Sequence, residues 1–297
     1  MRLLSFEGPD GPRIGAALAG DVVDLAAALA ALDAGAAVLP ADMTAFLALG
    51  DAGMVAALRA LAFAARPENA ALRQPLARVT LLAPVPRPGK ILGVGRNYWA
   101  HAREVGGPKQ EIPRIFIKPA SSVCGPGTAV RIPAAVTKPD WEAELAVVIG
   151  RPAREVREAD ALHYVAGYTI LDDVSAREFQ FDVQPPQTSF AKGMDGFCPM
   201  GPWLVTPDEL GEPWNLDIRC WLNDALVQEG NTADLIFPVP ALIAHLSRYM
   251  TLEPGDVIAT GTPAGSGAFR TPPLWLKGGD RLRIEIPGIG VLEHGIA

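Results

Sequence analysis

Three carboxylates, a histidine–glutamate pair and one isolated lysine are the residues of this sequence whose types and spacing could do chemistry. Glu142 and Glu144 stand at the head of the run Asp140-Trp141-Glu142-Ala143-Glu144-Leu145-Ala146-Val147-Val148-Ile149-Gly150. Residues 145–149 are apolar and partly β-branched, and Gly150 ends them, which predicts a buried strand. Side chains alternate faces along a strand, so the two glutamates project to one side, one step apart. Like charges at the mouth of an apolar strand repel and are costly to desolvate unless a cation sits between them. The other reading is two solvated side chains at a strand entrance. A third carboxylate tips the balance: Asp173 stands where a second predicted strand, residues 164–171, ends and turns into Ser175-Ala176-Arg177-Glu178. There the alternative is that Asp173 or Ser175 caps the helix that follows. Three carboxylates without a Cys/His cluster describe a site for a hard divalent cation, Mg²⁺ or Mn²⁺, held by Glu142, Glu144 and Asp173. Zinc would recruit His or Cys, and none has suitable spacing.

His101 and Glu104 lie three apart in what reads as one helical turn ending near Gly106-Gly107, so they are neighbours on one face. Such a pair is either an ordinary surface contact or a glutamate that orients a histidine general base. Lys192 is a single lysine in the uncharged, aromatic setting Ser189-Phe190-Ala191-Lys192-Gly193-Met194. Two glycine patterns fail as nucleotide motifs. Gly93 and Gly95 lack the third glycine and the acidic strand end of a dinucleotide site. The loop Gly261-Thr262-Pro263-Ala264-Gly265-Ser266-Gly267 has no Gly-Lys-Ser/Thr, although its backbone N–H groups could approach an anionic ligand. His245, on an amphipathic helix predicted over 239–250, reads as a packed or partly exposed helix residue and not a ligand.

The elements that must position these residues are short strands separated by turns, as 28 prolines and 30 glycines suggest. Residues 2–6, 13–18 and 22–25 predict strands. An Ala/Leu-rich stretch to about residue 65 predicts two or three helices broken at Gly35, Pro40 and Gly50. Pro84, Pro86 and Pro88 mark a stiff linker, so a small α/β N-terminal domain is expected over 1–85 and a catalytic domain over 86–297. Strands are also predicted at 91–94, 115–118 and 257–260. Hairpins are predicted at 216–228 and 281–294. With 297 residues and 49% hydrophobic content the chain can bury a sizeable core, and a net charge of −7 argues against a nucleic-acid partner. No signal peptide or membrane span is visible, and three widely spaced cysteines read as free thiols, so a soluble cytoplasmic protein is expected.

Taken together, these pieces resemble the fumarylacetoacetate hydrolase family. They are Gly-Val-Gly-Arg-Asn-Tyr with His101 and Glu104, Asp-Trp-Glu-Ala-Glu-Leu-Ala-Val-Val-Ile-Gly, Asp-Val-Ser-Ala-Arg and Thr-Gly-Thr-Pro. They occur in the family's order over roughly residues 85–297. The stretch from Trp203 to Asp280 looks most like the diketo-deoxy sugar acid and acylpyruvate branch. The resemblance implies an α+β fold, with a mixed β-sandwich roll as C-terminal domain, and a homodimer. It places Glu142, Glu144 and Asp173 as metal ligands, and His101 and Glu104 as a base pair on a lid. It gives Lys192 as the active-site lysine and Arg177, Gln180 and Thr262 as substrate contacts. The activity implied is metal-dependent hydrolysis of a C–C bond in a 2,4-dioxo acid, giving pyruvate and a carboxylic acid. His101 would be the water base. An oxaloacetate-type decarboxylase or a dienoate isomerase on the same metal site is the alternative. Three departures bear on the substrate: Asp172 where relatives often carry Asn, Gly193-Met194 after Lys192, and Ser266 in the glycine-rich loop.

Overall fold

The computed structural model describes every residue except 107–109. Its strands are, in chain order, β1 (Arg2–Gly8), β2 (Gly11–Leu18), β3 (Asp21–Asp24), β4 (Arg73–Pro75), β5 (Ile91–Gly95) and β6 (Arg114–Lys118). There follow β7 (Val123–Cys124), β8 (Ala129–Val130), β9 (Pro139–Asp140), β10 (Ala143–Ile149), β11 (Val165–Asp172) and β12 (Ser175–Ala176). The last are β13 (Cys198–Val205), β14 (Asp217–Leu222), β15 (Ala225–Asn231), β16 (Val257–Ala259), β17 (Arg281–Ile286) and β18 (Gly290–Ile296). The helices are α1 (Leu25–Leu32), α2 (Met43–Leu47), α3 (Gly50–Ala64), α4 (Trp99–Val105), α5 (Arg177–Phe181), α6 (Thr188–Lys192), α7 (Pro207–Leu210) and α8 (Val239–Tyr249).

Strand β10 is the axis of this α+β fold. It is buried along its whole length and paired on both edges, antiparallel to β11 and to β16. Because side chains alternate, its two faces serve two cores. Leu145, Val147 and Ile149 pack into one core with Leu242 and Ile243 of α8 and with Ile218, Ile284 and Leu292 of β14, β17 and β18. Ala146 and Val148 pack into the other with Leu29 of α1, Phe46 of α2 and Ala57 of α3. Each Val, Leu, Ile or Phe side chain so buried contributes about 1.5–3 kcal/mol. The large sheet runs β4-β3-β2-β1-β13-β11-β10-β16-β5-β6, with β7 added beside β13, and a second sheet runs β15-β14-β17-β18-β8. The large sheet crosses the proline-rich stretch around Pro84, since β1 pairs antiparallel with β13 through Arg2↔Val205 and Leu3↔Leu204.

Most predicted elements are present, with shifted edges. The strand expected over 22–25 ends at Asp24, whose carboxylate accepts the Ala27 N–H at 3.0 Å and so caps α1, leaving Leu25 helical. Gly50, expected to break a helix, begins α3 with φ +57°. The helical turn expected at 100–104 extends over α4 and is closed by Gly106 at φ +75°, while Gly107 and part of the expected lid lie outside the described residues.

Candidate metal centre and active site

Pairing of β10 with β11 brings the remote carboxylates together. The register sets Ala143 against Asp172, and Asp173 N–H donates to the Glu142 carbonyl at 2.9 Å, so Glu142, Glu144 and Asp173 converge. Carboxylate oxygens of the three lie within 4.8 Å of one another, and all three side chains are buried. Neither Asp173 nor Ser175 caps α5: Ser175 Oγ donates to the Asp173 carbonyl at 2.9 Å, and the N-cap position, Ala176, offers no side chain.

Three cations answer these charges. Lys192 Nζ donates to Glu142 Oε2 at 2.8 Å, Asp173 Oδ2 at 2.5 Å and Ser175 Oγ at 2.8 Å. Lys118 Nζ donates to Asp173 Oδ1 at 2.6 Å and to the Lys192 carbonyl. Arg177 Nη1 lies 2.7 Å from Glu142 Oε1 and its Nε 2.8 Å from Asp140 Oδ2. Glu144 has no such partner among the described residues; its Oε2 accepts one bond, from Gly261 N–H at 2.8 Å. Gly261 can make that approach because it holds φ +101°, and a Cβ there would sit 2.8 Å from Cβ of Asn97.

The proton affinities divide accordingly. Burial pushes the Glu144 carboxyl well above its ordinary range, and the charges of Asp173 and Glu142 push it further. Burial raises Glu142 too, but Lys192, Arg177 and His101 together outweigh it and hold Glu142 well below the usual range. Burial lowers Lys192, yet Asp173 and Glu142 keep it raised. Four carboxylates (Asp140, Glu142, Glu144, Asp173) face three cations (Lys118, Arg177, Lys192), so full ionisation would leave one net negative charge, and the raised proton affinity of the unpaired Glu144 is where that excess shows. An all-oxygen donor set with uncompensated negative charge fits a hard divalent cation.

Beside this cluster His101 Nδ1 meets Glu104 Oε2 at 2.9 Å, and Glu104 Oε1 accepts Gly265 N–H at 3.0 Å. The clamp fixes the imidazole edge and leaves Nε2 for proton transfer. His101 is itself buried, packed edge-on to Phe269 at 5.4 Å between centroids. His101, Glu142, Arg177, Gln180, Lys192 and Thr262 all line one cavity of about 240 Å³. Arg177 Nη1 donates to Gln180 Oε1 at 2.9 Å, while Nη2 is buried with no partner. The Thr262 hydroxyl is occupied: it donates to the Ala143 carbonyl at 2.9 Å and accepts from Gln228 Nε2 at 2.8 Å. The glycine-rich loop does bind anions through its N–H groups, and those anions are the protein's own. Gly261 serves Glu144, Gly265 serves Glu104, and Gly267 and Ala268 serve Asp140 at 2.7 and 3.0 Å.

Sequence reasoning missed several members of the site. Lys118 is a buried lysine closing an apolar strand, a burial anomaly visible only once the strand is placed. Asp140, in sequence merely the head of the glutamate strand, anchors both Arg177 and the glycine-rich loop. Asp172, set apart in the sequence only as a departure from Asn, accepts the Glu142 N–H on Oδ1 at 2.9 Å and faces His294 Nε2 on Oδ2 at 2.8 Å, both side chains fully buried. His294 comes from β18 in the other sheet, and no spacing rule would have joined it to Asp172.

Fold and site define a class: an α+β enzyme scaffold with a hard-cation site beside a histidine–glutamate couple. The family description "Fumarylacetoacetate (FAA) hydrolase C-terminal" matches residues 90–297, and the chain belongs to the fumarylacetoacetate hydrolase family. It is 44% identical over 300 residues to the mitochondrial oxaloacetate tautomerase FAHD2A of Homo sapiens, covering 100% of this chain and 91% of that one. It also matches the fumarylacetoacetate hydrolase of the psychrophile Exiguobacterium antarcticum, with a TM-score of 0.81 and 32% identity, covering 100% of this chain and 99% of that one. The maleylpyruvate hydrolase of Sphingobium sp. SYK-6, in complex with manganese(II) and pyruvate, matches with a TM-score of 0.74 and 35% identity over 100% and 99% of the two chains. The family is thus one of enzymes with several named reactions, and manganese is found in one of them. The human relative's name places it in mitochondria, which gives the cytoplasmic expectation no support. No described helix is long and apolar enough to cross a membrane.

Proposed function

We propose that this chain is a divalent-metal-dependent enzyme that moves a proton at the carbon next to the 2-oxo group of a 2-oxo acid, with oxaloacetate keto–enol tautomerisation as its reaction. The observation that carries the reading is His101, clamped by Glu104 at 2.9 Å and lining the same cavity as Glu142 and Lys192. Bound at Glu142, Glu144 and Asp173, Mg²⁺ or Mn²⁺ would supply Lewis-acid polarisation of the 2-oxo group. His101 Nε2 takes the proton from the adjacent carbon and hands it to the 2-oxo oxygen, or carries it from the enol O–H to that carbon in the reverse direction, and Glu104 steadies the imidazolium in between. The ammonium of Lys192 offsets the negative charge that develops on the oxygen. The unpartnered Arg177 Nη2 provides the donors for the substrate's 1-carboxylate. The full-length likeness to an oxaloacetate tautomerase supports this reaction over its neighbours.

Hydrolysis of a C–C bond in a 2,4-dioxo acid is the second reading, supported by the likeness to maleylpyruvate hydrolase. There His101 would take the proton of a water that attacks the 4-carbonyl, and the C3–C4 bond would break to leave pyruvate and a carboxylic acid. One panel separates the two: enol oxaloacetate, followed by its ultraviolet absorbance, and acetylpyruvate and maleylpyruvate, followed by pyruvate release, each with Mn²⁺. Rapid loss of the enol signal without pyruvate from the dioxo acids is the expected result. Fast pyruvate release with no effect on the enol would replace tautomerisation by hydrolysis.

A further inference from the structure

Four cations line the cavity, and two of them are already spent on carboxylates: Arg177 on Asp140 and Glu142, Lys192 on Glu142 and Asp173. The other two, Arg96 and Arg114, have no carboxylate partner among the described residues. Both line the same cavity from neighbouring strands: Arg114 lies opposite Gly95 in the β5–β6 pairing, and Arg96 follows Gly95 directly at the end of β5. Gly95 contributes no side chain there, and a Cβ at that position would sit 3.6 Å from Cδ of Arg114.

Arg96 is held there at a cost. It adopts φ +58°, a left-handed conformation that a non-glycine residue rarely takes and that clusters at functional sites. Asn97 enforces it. Its Nδ2 donates to the Thr260 and Phe237 carbonyls at 2.8 and 3.0 Å, and its Oδ1 accepts Phe237 N–H at 2.9 Å. Burial and then the charge of Arg114 lower the proton affinity of Arg96. In a chain of net charge −7, two mutually repelling guanidiniums facing an aromatic-walled cavity are unfavourable until an anion enters.

We propose that Arg96 and Arg114 form a second carboxylate subsite, so that the cavity selects 2-oxo diacids, with the distal carboxylate held by these two guanidiniums. The inference rests on the 2-oxo acid reading above and adds to it the residues that recognise the far end of the substrate. Guanidiniums suit this task because their planar forks bind a carboxylate through two parallel bonds.

The test is calorimetric binding to the Mn²⁺-loaded protein of a matched pair, 2-oxoglutarate and 2-oxopentanoate, which differ only in a terminal carboxylate against a methyl group. The native protein is expected to bind the diacid at least about tenfold more tightly, the equivalent of one charge-assisted pair. Arg114→Gln, at an exposed position where folding is not at stake, should cut that preference several-fold. Arg96→Gln/Arg114→Gln should abolish it while leaving 2-oxopentanoate binding unchanged. Equal binding of the two acids by the native protein, or a preference that survives in the double variant, overturns the subsite and leaves the 2-oxo acid reading standing. Failure of both acids to bind overturns that reading, and the subsite with it.

Discussion

Replacing His294 by alanine should destabilise the protein strongly, and Asp172→Asn should partly restore it. Asp172 is fully buried and satisfied on both oxygens, by Glu142 N–H at 2.9 Å and by His294 Nε2 at 2.8 Å. Removing the imidazole leaves a buried carboxylate with one partner, which costs about 3–5 kcal/mol. At about 2 °C per kcal/mol for a chain of this size, the melting temperature should fall by roughly 6–10 °C. Asparagine at 172 still accepts the Glu142 N–H with its amide oxygen but carries no charge. His294→Ala/Asp172→Asn should therefore melt above His294→Ala by about 2 °C or more, a recovery of at least ~1 kcal/mol. Since Asp172 holds the backbone of Glu142, a proposed metal ligand, the Mn²⁺ affinity of His294→Ala should fall and recover in the same order. Thermal melts by circular dichroism and Mn²⁺ calorimetry measure both. A His294→Ala protein that melts within 2 °C of the native one would refute the reasoning, as would an Asp172→Asn change that lowers stability further.

Other expectations follow from the charge balance of the site. Glu144 is raised well above 4.5, so its contribution to metal-free stability is complete below about pH 4.5 and is lost as pH climbs through the raised value. Metal-free protein should thus lose melting temperature with rising pH. Mn²⁺ should restore it and release a proton on binding, and Glu144→Gln should flatten the pH dependence; a metal-free melting temperature that rises over that range contradicts this. Glu142→Ala should act oppositely, because it strips one charge-assisted bond each from Lys192 and Arg177, a loss of about 3 kcal/mol in a chemical melt. Unchanged stability would show those bonds to be worthless. His101→Ala should reduce turnover by about 10²–10⁴-fold with Mn²⁺ affinity intact, and a loss of metal in that variant would place His101 among the ligands instead.

Much of this was legible in the sequence because the decisive signals are local. The apolar run 145–149 identified the buried strand, and alternation put Glu142 and Glu144 on one side. The three-residue spacing of His101 and Glu104 predicted their contact, and α4 makes it. What stayed hidden depends on strands far apart in the chain. Lys118 reaches Asp173 only because β6 carries it inward, and His294 meets Asp172 only because the second sheet packs across the core. One expectation about energies also shifts. From sequence the two glutamates look equivalent, whereas the structure gives Glu142 two cations and Glu144 none. That asymmetry depends on the placement of Lys192 and Arg177, which spacing alone does not encode.

On this reading a divalent cation at Glu142, Glu144 and Asp173 is required for chemistry on a 2-oxo acid. The requirement is measured by following enol oxaloacetate by ultraviolet absorbance with protein stripped by EDTA, then titrated with Mn²⁺. Catalysis should vanish on stripping and return to a plateau at one Mn²⁺ per chain. It should not return in Glu144→Gln, whose fold is confirmed by its melt. Undiminished catalysis in stripped protein with no metal by elemental analysis, or full recovery in Glu144→Gln, would contradict the account.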